Sequence, residues 1–304
     1  MNNSTYNRTP KRMLVALLQH YGGWIPDKIY LKLLFRLKMG SKLDLEHPKT
    51  FSEKLQWLKL YNRNPEYTMM VDKYAVKDYV ANIIGKEYII PTIGVWKEPE
   101  EIDWNNLPNQ FVLKTTYGGG SSGVVICRDK HSFDKQKAIL KLKKSMKQNI
   151  YKSLREWPYK DVPHRIIAEQ FIEPDAQTND LPDYKFFCFN GIPKYCQVIS
   201  GRNTTETVDF FDKDWNHQPF HEPRYMPFAN KLPRCPNQYE KMWQLAGSIA
   251  IDKPFSRIDF FNVRDTVYFG EITFFPTSGF GGFDPTSYDE LFGDQIRIDE
   301  SLLR

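Results

Sequence analysis

A glycine-rich loop is the first feature of the sequence that could bind a ligand. Residues 118–123, Gly-Gly-Gly-Ser-Ser-Gly, can expose several backbone N–H groups, and such groups bind phosphate oxygens. A Walker A loop or a dinucleotide-binding fingerprint would open a helix, whereas Val-Val-Ile follows Gly123 and predicts a strand. The loop is therefore predicted to be the tip of a β-hairpin that could close over a nucleotide, with Lys114 beside the phosphates. A hairpin with three glycines could equally be only a flexible turn.

Two acidic residues lie on neighbouring predicted strands. Asp259 and Glu271 each stand within an apolar segment. A carboxylate buried in such a place is costly unless it is paired or bound to a metal. Two carboxylates on adjacent strands suit Mg²⁺, which binds through one or two carboxylates together with substrate phosphates. The alternative is structural pairing of these acids with Arg257 or Lys253.

Further polar residues flank a predicted strand that ends near residue 172. The edge of this strand over residues 168–172 could offer backbone groups to an adenine ring. Asp183 and Lys185 lie on one face of the next strand, because side chains alternate along a strand. They are either a surface ion pair or part of the same site. A loop of small residues, 275–283, follows Glu271 and could hold an acceptor substrate or an intermediate.

The hydrophobic pattern places these residues on a mixed set of elements. Residues 11–80 are predicted to be mostly helical, with one helix that begins near Thr50 or Ser52 and a second over residues 71–84. Other helices are predicted over residues 132–155 and 238–250. Strands are predicted over residues 88–91, 110–116, 123–128, 165–172 and 209–212. Hairpins are predicted over residues 184–200 and 256–273. This order indicates an α+β or α/β fold with antiparallel sheets and not a doubly wound parallel sheet.

The composition indicates a folded protein. Of 304 residues, 41% are hydrophobic and 15% aromatic, which excludes intrinsic disorder and allows a large core. No apolar run approaches the roughly 18 residues that cross a bilayer, and no secretion signal is recognisable. We therefore expect a cytoplasmic protein, which could lie peripherally at the inner face of the membrane.

The positive charge is concentrated at one end of the chain. Residues 1–43 contain eight basic residues and one acidic residue, within a chain whose net charge is +5. Lys28, Lys32 and Arg36 are spaced to form a stripe on one helical face. The stripe is either an ordinary solvated face or is attracted weakly to an anionic membrane surface or acidic polymer. The sequence has no broad basic face with nucleic-acid-binding motifs, so no nucleic-acid partner is expected. It does not indicate an oligomeric state.

These features together resemble the TupA-like family of the ATP-grasp superfamily, found among enzymes of bacterial surface-polysaccharide and teichuronopeptide assembly. The resemblance covers about residues 25–295, and its most specific segments are residues 50–59, 72–74, 183–191, 211–215 and 257–260. It implies an ATP-grasp fold in which two α+β subdomains clamp ATP. Residues 1–85 would form a helical N-terminal region and residues 86–304 the ATP-grasp domain, with a nucleotide-binding lobe at about 105–175 and a catalytic, metal-binding lobe at about 176–295.

The resemblance also implies roles for the matching residues. Lys114 and Lys185 would contact the ATP phosphates, and the phosphates would be covered by Gly119, Gly120 and Ser121. Glu169 and Ile172 would lie near the adenine, and Asp183 near the ribose. Asp259 and Glu271 would bind Mg²⁺. Thr273 stands where many ATP-grasp enzymes have Asn. Its hydroxyl would be a weaker or water-mediated metal ligand.

The implied activity is that of an ADP-forming carboxylate–amine ligase with ATP and Mg²⁺ as cofactors. A substrate carboxylate would attack the γ-phosphate of ATP, and an amine would then displace phosphate from the acyl phosphate to form an amide. Lys185 would act in catalysis, while Arg202 or Arg257 could grip the carboxylate with two hydrogen bonds. The expected substrates are an amino acid and a sugar acid, an amino sugar or a nucleotide sugar, in the biosynthesis of capsule or another surface polysaccharide.

Two other functions fit parts of the sequence. The Asp212-Lys213-Asp214 triplet could bind the metal and sugar nucleotide of a glycosyltransferase, with Trp215 stacking on a sugar. Alternatively, the aromatic-rich region 209–228 could belong to a non-catalytic glycan-binding module.

Overall fold

A computed structural model describes residues 9–174, 180–201, 205–223 and 228–303. Arg202, one of the predicted catalytic residues, lies outside these ranges, and the side chain of Ser121 is likewise outside the description. Within the described ranges, no helix has the length and apolar character needed to cross a membrane.

Two antiparallel sheets form the framework. The first sheet has the order β1-β4-β2-β3, with β1 Thr92–Trp96, β2 Phe111–Thr115, β3 Val124–Cys127 and β4 Ile166–Gln170. The second sheet has the order β7-β6-β5-β8-β9, with β5 Asp183–Phe189, β6 Ile192–Ser200, β7 Thr207–Phe211, β8 Phe255–Val263 and β9 Thr266–Thr273. The predicted class, α+β with antiparallel sheets, is therefore confirmed.

Both predicted hairpins of the second sheet are present. Asn190 and Gly191 join β5 to β6 and both have positive φ, as a two-residue hairpin turn requires. Arg264 and Asp265 join β8 to β9 in the same way. The turn at Arg264 and Asp265 sets the register of β8 and β9 as far as Phe260 and Phe269. A bulge at Gly270 then shifts the register by one residue, so that Asp259 lies opposite Glu271.

Nine α-helices occur among the described residues. They are α1 Pro10–Tyr21, α2 Asp27–Met39, α3 Phe51–Tyr61, α4 Glu66–Val71, α5 Val76–Ile84, α6 Lys135–Met146, α7 Ile150–Leu154, α8 Tyr239–Ala250 and α9 Ser287–Gln295. The start of α3 agrees with the prediction, because Thr50 and Glu53 cap each other's backbone N–H groups.

Three predicted elements differ from the structure. The helix predicted over residues 71–84 begins instead at Val76, because α4 ends at Val71 and the carboxylate of Asp72 then accepts the N–H groups of Tyr74 and Ala75 in a turn. The helix predicted over residues 132–155 is divided, and Asn149 caps the second part. The strand predicted over residues 88–91 begins instead at Thr92, after a short 3-10 turn and Pro91, which lacks an N–H donor.

The larger hydrophobic core joins the N-terminal helices to the second sheet. Buried residues of α2 to α5, such as Tyr30 and Leu55, belong to the same core as Phe186 and Phe260 of that sheet. A smaller core lies between the first sheet and α6. The helical region therefore packs on the sheet that carries Lys185, Asp259 and Glu271.

Candidate active site

The predicted site residues meet in one cleft of about 1350 Å³, which residues of both sheets line. The cleft contains eleven of them: Lys114, Gly119, Gly120, Glu169, Ile172, Asp183, Lys185, Arg257, Asp259, Glu271 and Thr273. Their segments are far apart in the sequence, so the packing of the two sheets creates the site.

A row of charged residues crosses the second sheet. Lys185 of β5 pairs in register with Asp259 of β8, which pairs with Glu271 of β9. The Lys185 ammonium bonds Asp259 directly and lies 3.1 Å from Asp183. Burial alone would lower the pKa of Lys185, but the attraction of Asp183 and Asp259 raises it above its usual value. The lysine is therefore a fixed positive charge within the cleft.

Arg257 holds the same acids from the side. Its Nε and Nη2 each lie 2.7 Å from an oxygen of Asp259, and Nη2 also lies 3.4 Å from Glu271 and 3.1 Å from the hydroxyl of Thr273. Lys253 does not join this cluster, because its ammonium donates to the carbonyls of residues 249 and 251. Of the two cations considered as structural partners, Arg257 is the one that pairs with the acids.

Asp259, Glu271 and Thr273 provide a set of oxygen donors that fits Mg²⁺. Among the described residues, no cluster of three or more His, Cys, Asp or Glu side chains forms a metal cage made by protein alone. Two carboxylates and a hydroxyl suit a cation that completes its shell with water and phosphate oxygens. Burial opposes the charge on Glu271, but Lys73, Lys185 and Arg257 lower its pKa to about 2, so it is ionised at neutral pH.

On the first sheet, Glu169 lies between two lysines. Its two oxygens are 2.5 Å from the ammonium groups of Lys77 and Lys114. Burial by itself would raise the pKa of Glu169, but the two lysines lower it below its usual value. Lys114 thus reaches the cleft while its position is fixed by Glu169, a pairing that the sequence did not predict.

The glycine loop follows β2 as predicted, and its tip is open. Gly118 and Gly120 have φ values of 107° and 71°, which residues other than glycine rarely adopt. A Cβ atom added at Gly119 or Gly120 would meet no atom within 4 Å. The space into which a side chain at Gly119 or Gly120 would project is therefore empty, and both residues line the cleft.

Lys73 connects the glycine loop to the acidic row, and sequence reasoning assigned it no role. Its ammonium donates to the carbonyl of Gly118 at 2.6 Å and lies 3.2 Å from Glu271. The available signal was its place in segment 72–74, one of those that carry the family resemblance. Lys73 therefore lines the same cleft as Lys114 and Lys185.

A second buried charge cluster supports the wall of the cleft beyond the acids. Thr277 and Ser278 have positive φ values, and both line the cleft with Glu156. The fully buried Lys59 donates to the carbonyl and the hydroxyl of Ser278, each at 2.8 Å. Burial lowers the pKa of Lys59 to about 7 and raises that of Glu156. The available signal was its place at the end of segment 50–59, another of those that carry the family resemblance.

The Asp212-Lys213-Asp214 triplet does not line this cleft. The Asp212 carboxylate accepts hydrogen bonds from the backbone of Asp214 and Asn216 and from the Asn216 side chain, so it stabilises its own turn. Trp215 stacks on Phe211 with ring centroids 4.1 Å apart, and its Nε1 donates to a backbone carbonyl. This arrangement disfavours the glycosyltransferase interpretation.

Comparison with known proteins gives one strong family match. The family model described as TupA-like ATPgrasp matches residues 53–297, which is most of the chain. No curated protein sequence matches the chain.

Several solved structures are similar at low identity. D-alanine–D-alanine ligase from Helicobacter pylori has a TM-score of 0.44 and 15% identity, over 81% of this chain and 69% of that one. The Bacillus anthracis D-alanine–D-alanine ligase complexed with ATP has a TM-score of 0.41 and 16% identity, over 75% and 63% of the two chains. D-alanyl-alanine synthetase A from Vibrio cholerae has a TM-score of 0.42 and 11% identity, over 92% and 72%.

Proposed function

Because the chain belongs to the TupA-like ATP-grasp family, we propose that it is an ATP-dependent ligase that joins a carboxylate to an amine through an acyl phosphate. The observation that carries the proposal is the meeting of three lysines, two acids and an open glycine loop in one cleft. This combination suits phosphoryl transfer, in which the protein mainly positions the phosphates and neutralises their charge.

The nucleotide would lie between the glycine loop and the charged row of the second sheet. Lys114 and Lys185 would contact its phosphates, and the loop at Gly119 and Gly120 would cover them with backbone N–H groups. Lys73 holds the start of this loop through the carbonyl of Gly118. Closure of the loop would exclude water, which would otherwise hydrolyse an acyl phosphate. The adenine would lie near Ile172, and the ribose near Asp183.

Asp259 and Glu271 would hold Mg²⁺, with the hydroxyl of Thr273 as a further donor. When bound, the ion would neutralise the charge that develops on the transferred phosphoryl group. Arg257 bonds Asp259 and Thr273, so we assign it the task of orienting these donors. Arg257 remains a candidate for gripping the substrate carboxylate as well.

The acceptor would bind beside Thr277 and Ser278, where the cleft continues past the acidic row. We propose that the substrates are an amino acid and a sugar acid or an amino sugar, used in building a capsule or another surface polysaccharide. The support for this substrate class is the family resemblance of the sequence. The support for the acceptor end is the polar wall formed by Thr277 and Ser278, which Lys59 holds at Ser278.

The test is to incubate the full chain with ATP, Mg²⁺ and pairs of amino acids with uronic acids or amino sugars. We expect ADP and phosphate to be released together with a product whose mass is the sum of the pair minus water. Lys185→Met should lower the rate at least about 100-fold, because it removes a fixed charge at the reacting phosphate. The matched control is Lys137→Met on the exposed face of α6, with melting curves for both variants. Release of AMP would contradict the acyl-phosphate mechanism.

A further inference from the structure

The first two helices expose an unusual number of apolar side chains. Seven of the seventeen large hydrophobic residues that are exposed in the described part of the chain lie between residues 13 and 33. They are Met13, Leu14, Leu17, Tyr21, Trp24, Ile29 and Leu33, with Trp24 83% exposed. Clusters of this kind mark binding surfaces, whereas single exposed apolar residues need no explanation.

These residues form a continuous stripe on each helix. On α1, Met13, Leu17 and Tyr21 are four residues apart and share one face, while Val15 and Leu18 pack toward the core. On α2, Ile29 and Leu33 share the exposed face, opposite the buried Leu31 and Leu34. We call the exposed apolar residues of α1, of the connecting turn and of α2 the N-terminal face.

Positive charge accompanies the N-terminal face. Lys28, Lys32 and Arg36 are exposed on α2 beside Ile29 and Leu33, and Lys11 and Arg12 are exposed on α1. The one acidic residue in residues 1–43 is Asp27, and it is held by Arg63 at 2.8 Å and Arg155 at 3.0 Å. Its charge is therefore already neutralised, and the face is both apolar and basic.

We propose that the N-terminal face docks on an anionic lipid surface. Apolar side chains can enter the boundary between headgroups and acyl chains, while lysine and arginine side chains attract acidic headgroups. An exposed tryptophan such as Trp24 is favoured at that boundary. A second copy of the chain fits less well, because it would bring two sets of positive charge together.

The docked orientation would connect the membrane to the cleft. Gln19 and His20 of α1, Lys38 of α2 and Lys152 of α7 line the cleft described above. The elements that carry the N-terminal face therefore also form part of the cleft wall. A lipid-borne substrate could reach this wall directly, although docking itself does not depend on what the ligase joins.

The electrostatic part is tested by sedimentation of the full chain with vesicles of phosphatidylcholine alone or mixed equally with phosphatidylglycerol. We expect binding to the mixed vesicles that falls when salt is added. The triple variant Lys28→Glu, Lys32→Glu and Arg36→Glu should lower the partition coefficient at least about tenfold. The matched control, Lys137→Glu, Lys141→Glu and Lys144→Glu on the exposed face of α6, makes the same change in charge and should alter it by less than about twofold. Equal losses in both triples would overturn the proposal.

The apolar part is tested by a second pair of variants. Leu17→Ser with Trp24→Ser should lower vesicle binding about tenfold, because it removes apolar area that would enter the bilayer boundary. The control Leu140→Ser with Ile192→Ser removes two exposed apolar side chains elsewhere and should leave binding unchanged. ATP binding should be retained in every variant, which shows that each is folded. Binding to soluble polyglutamate but not to the mixed vesicles would overturn the proposal in favour of an acidic polymer.

Discussion

Several buried charges in this chain are held by partners from other elements. Glu169 is bound by lysines of α5 and β2, and Glu271 by Lys73 and Arg257. An unpaired buried charge is strongly destabilising, so each of these ions requires its partners for the fold to form. The same pairs leave lysines fixed in position along the cleft. At the scale of single residues, the ion pairs that stabilise the fold therefore also hold the lysines to which we assign nucleotide binding.

Gly119 allows the role of the glycine loop to be tested without disturbing the fold. An added methyl group would meet no atom within 4 Å, so Gly119→Ala should leave the free energy of unfolding unchanged. If the loop approaches the phosphates, the methyl group should block a backbone hydrogen bond and weaken ATP binding about tenfold or more. Calorimetric titration measures this affinity. Gly247→Ala, outside the cleft, should bind ATP normally, and unchanged affinity in Gly119→Ala would argue against the covering role.

Lys59 predicts a specific pH dependence of stability. Its pKa is about 7 in the folded chain and near its ordinary value of 10.5 when unfolded, so the unfolded chain binds more protons between these values. The destabilisation by Lys59 is therefore complete below pH 7 and is lost as the pH rises toward 10.5. The test compares two proteins that both carry Glu156→Gln, one with Lys59 and one with Lys59→Met. The free energy of unfolding of the first, relative to that of the second, should rise by about 1.4 kcal/mol per pH unit.

The Glu156→Gln background is used because the pKa of Glu156, which burial raises, would otherwise add an opposite slope. Urea unfolding of both proteins between pH 7 and 10 supplies the measurement. Parallel curves for the two proteins would show that Lys59 titrates as an exposed lysine does.

Among the elements, close helix packing positions the loop that supports the cleft wall. Ser52 of α3 donates from its backbone and its hydroxyl to Asp289 of α9. Gln56 of α3 donates to the carbonyls of Ser278 and Gly279. Because α3 contacts both α9 and this loop, a change in the packing of α9 should be felt at the cleft wall.

Gly293 permits the approach of α9 to the start of α3. A Cβ atom at this position would lie 1.9 Å from the carbonyl oxygen of Lys49, so the backbone would have to move. We expect Gly293→Ala to lower the free energy of unfolding by at least about 2 kcal/mol, despite the better helix propensity of alanine. Urea denaturation supplies the value.

Gly247 of α8 is the matched control for that substitution. Its added Cβ atom would lie 3.4 Å from Pro193, an ordinary contact. Gly247→Ala should therefore be neutral or stabilise the chain by up to about 1 kcal/mol. Equal effects of the two substitutions would mean that α9 can shift without cost.

At the scale of the whole molecule, nucleotide binding should stabilise the two sheets together, since both contribute lysines to one cleft. ATP with Mg²⁺ should raise the melting temperature, and at 100 times Kd the stabilisation is about 2.7 kcal/mol. Glu271→Gln should reduce the additional shift caused by Mg²⁺ more than the shift caused by ATP alone. Differential scanning fluorimetry with and without EDTA measures both. An unchanged Mg²⁺ effect in Glu271→Gln would place the metal elsewhere.

The family match confirms the family that the sequence resembled, the TupA-like ATP-grasp family. The turn at Asn190-Gly191, the start of α3 and the strands bearing Lys185, Asp259 and Glu271 were also predictable. Each depends on local rules: hairpin turn residues, helix caps and side-chain alternation. The breaks at Asp72 and Asn149 were missed, because a helical pattern continues across both.

The sequence by itself determined the family, the two hairpins of the second sheet and eleven of the residues that line the cleft. The tertiary structure alone decided which of those residues touch. In the folded chain, Glu169 pairs with both Lys77 and Lys114. Lys73 contacts both the carbonyl of Gly118 and the carboxylate of Glu271, and Lys59 donates to Ser278. The physical reason is that a local pattern specifies the face on which a side chain lies. The lysines that neutralise Glu169, and Lys73 beside Glu271, come from distant segments, and only packing determines which residues these are.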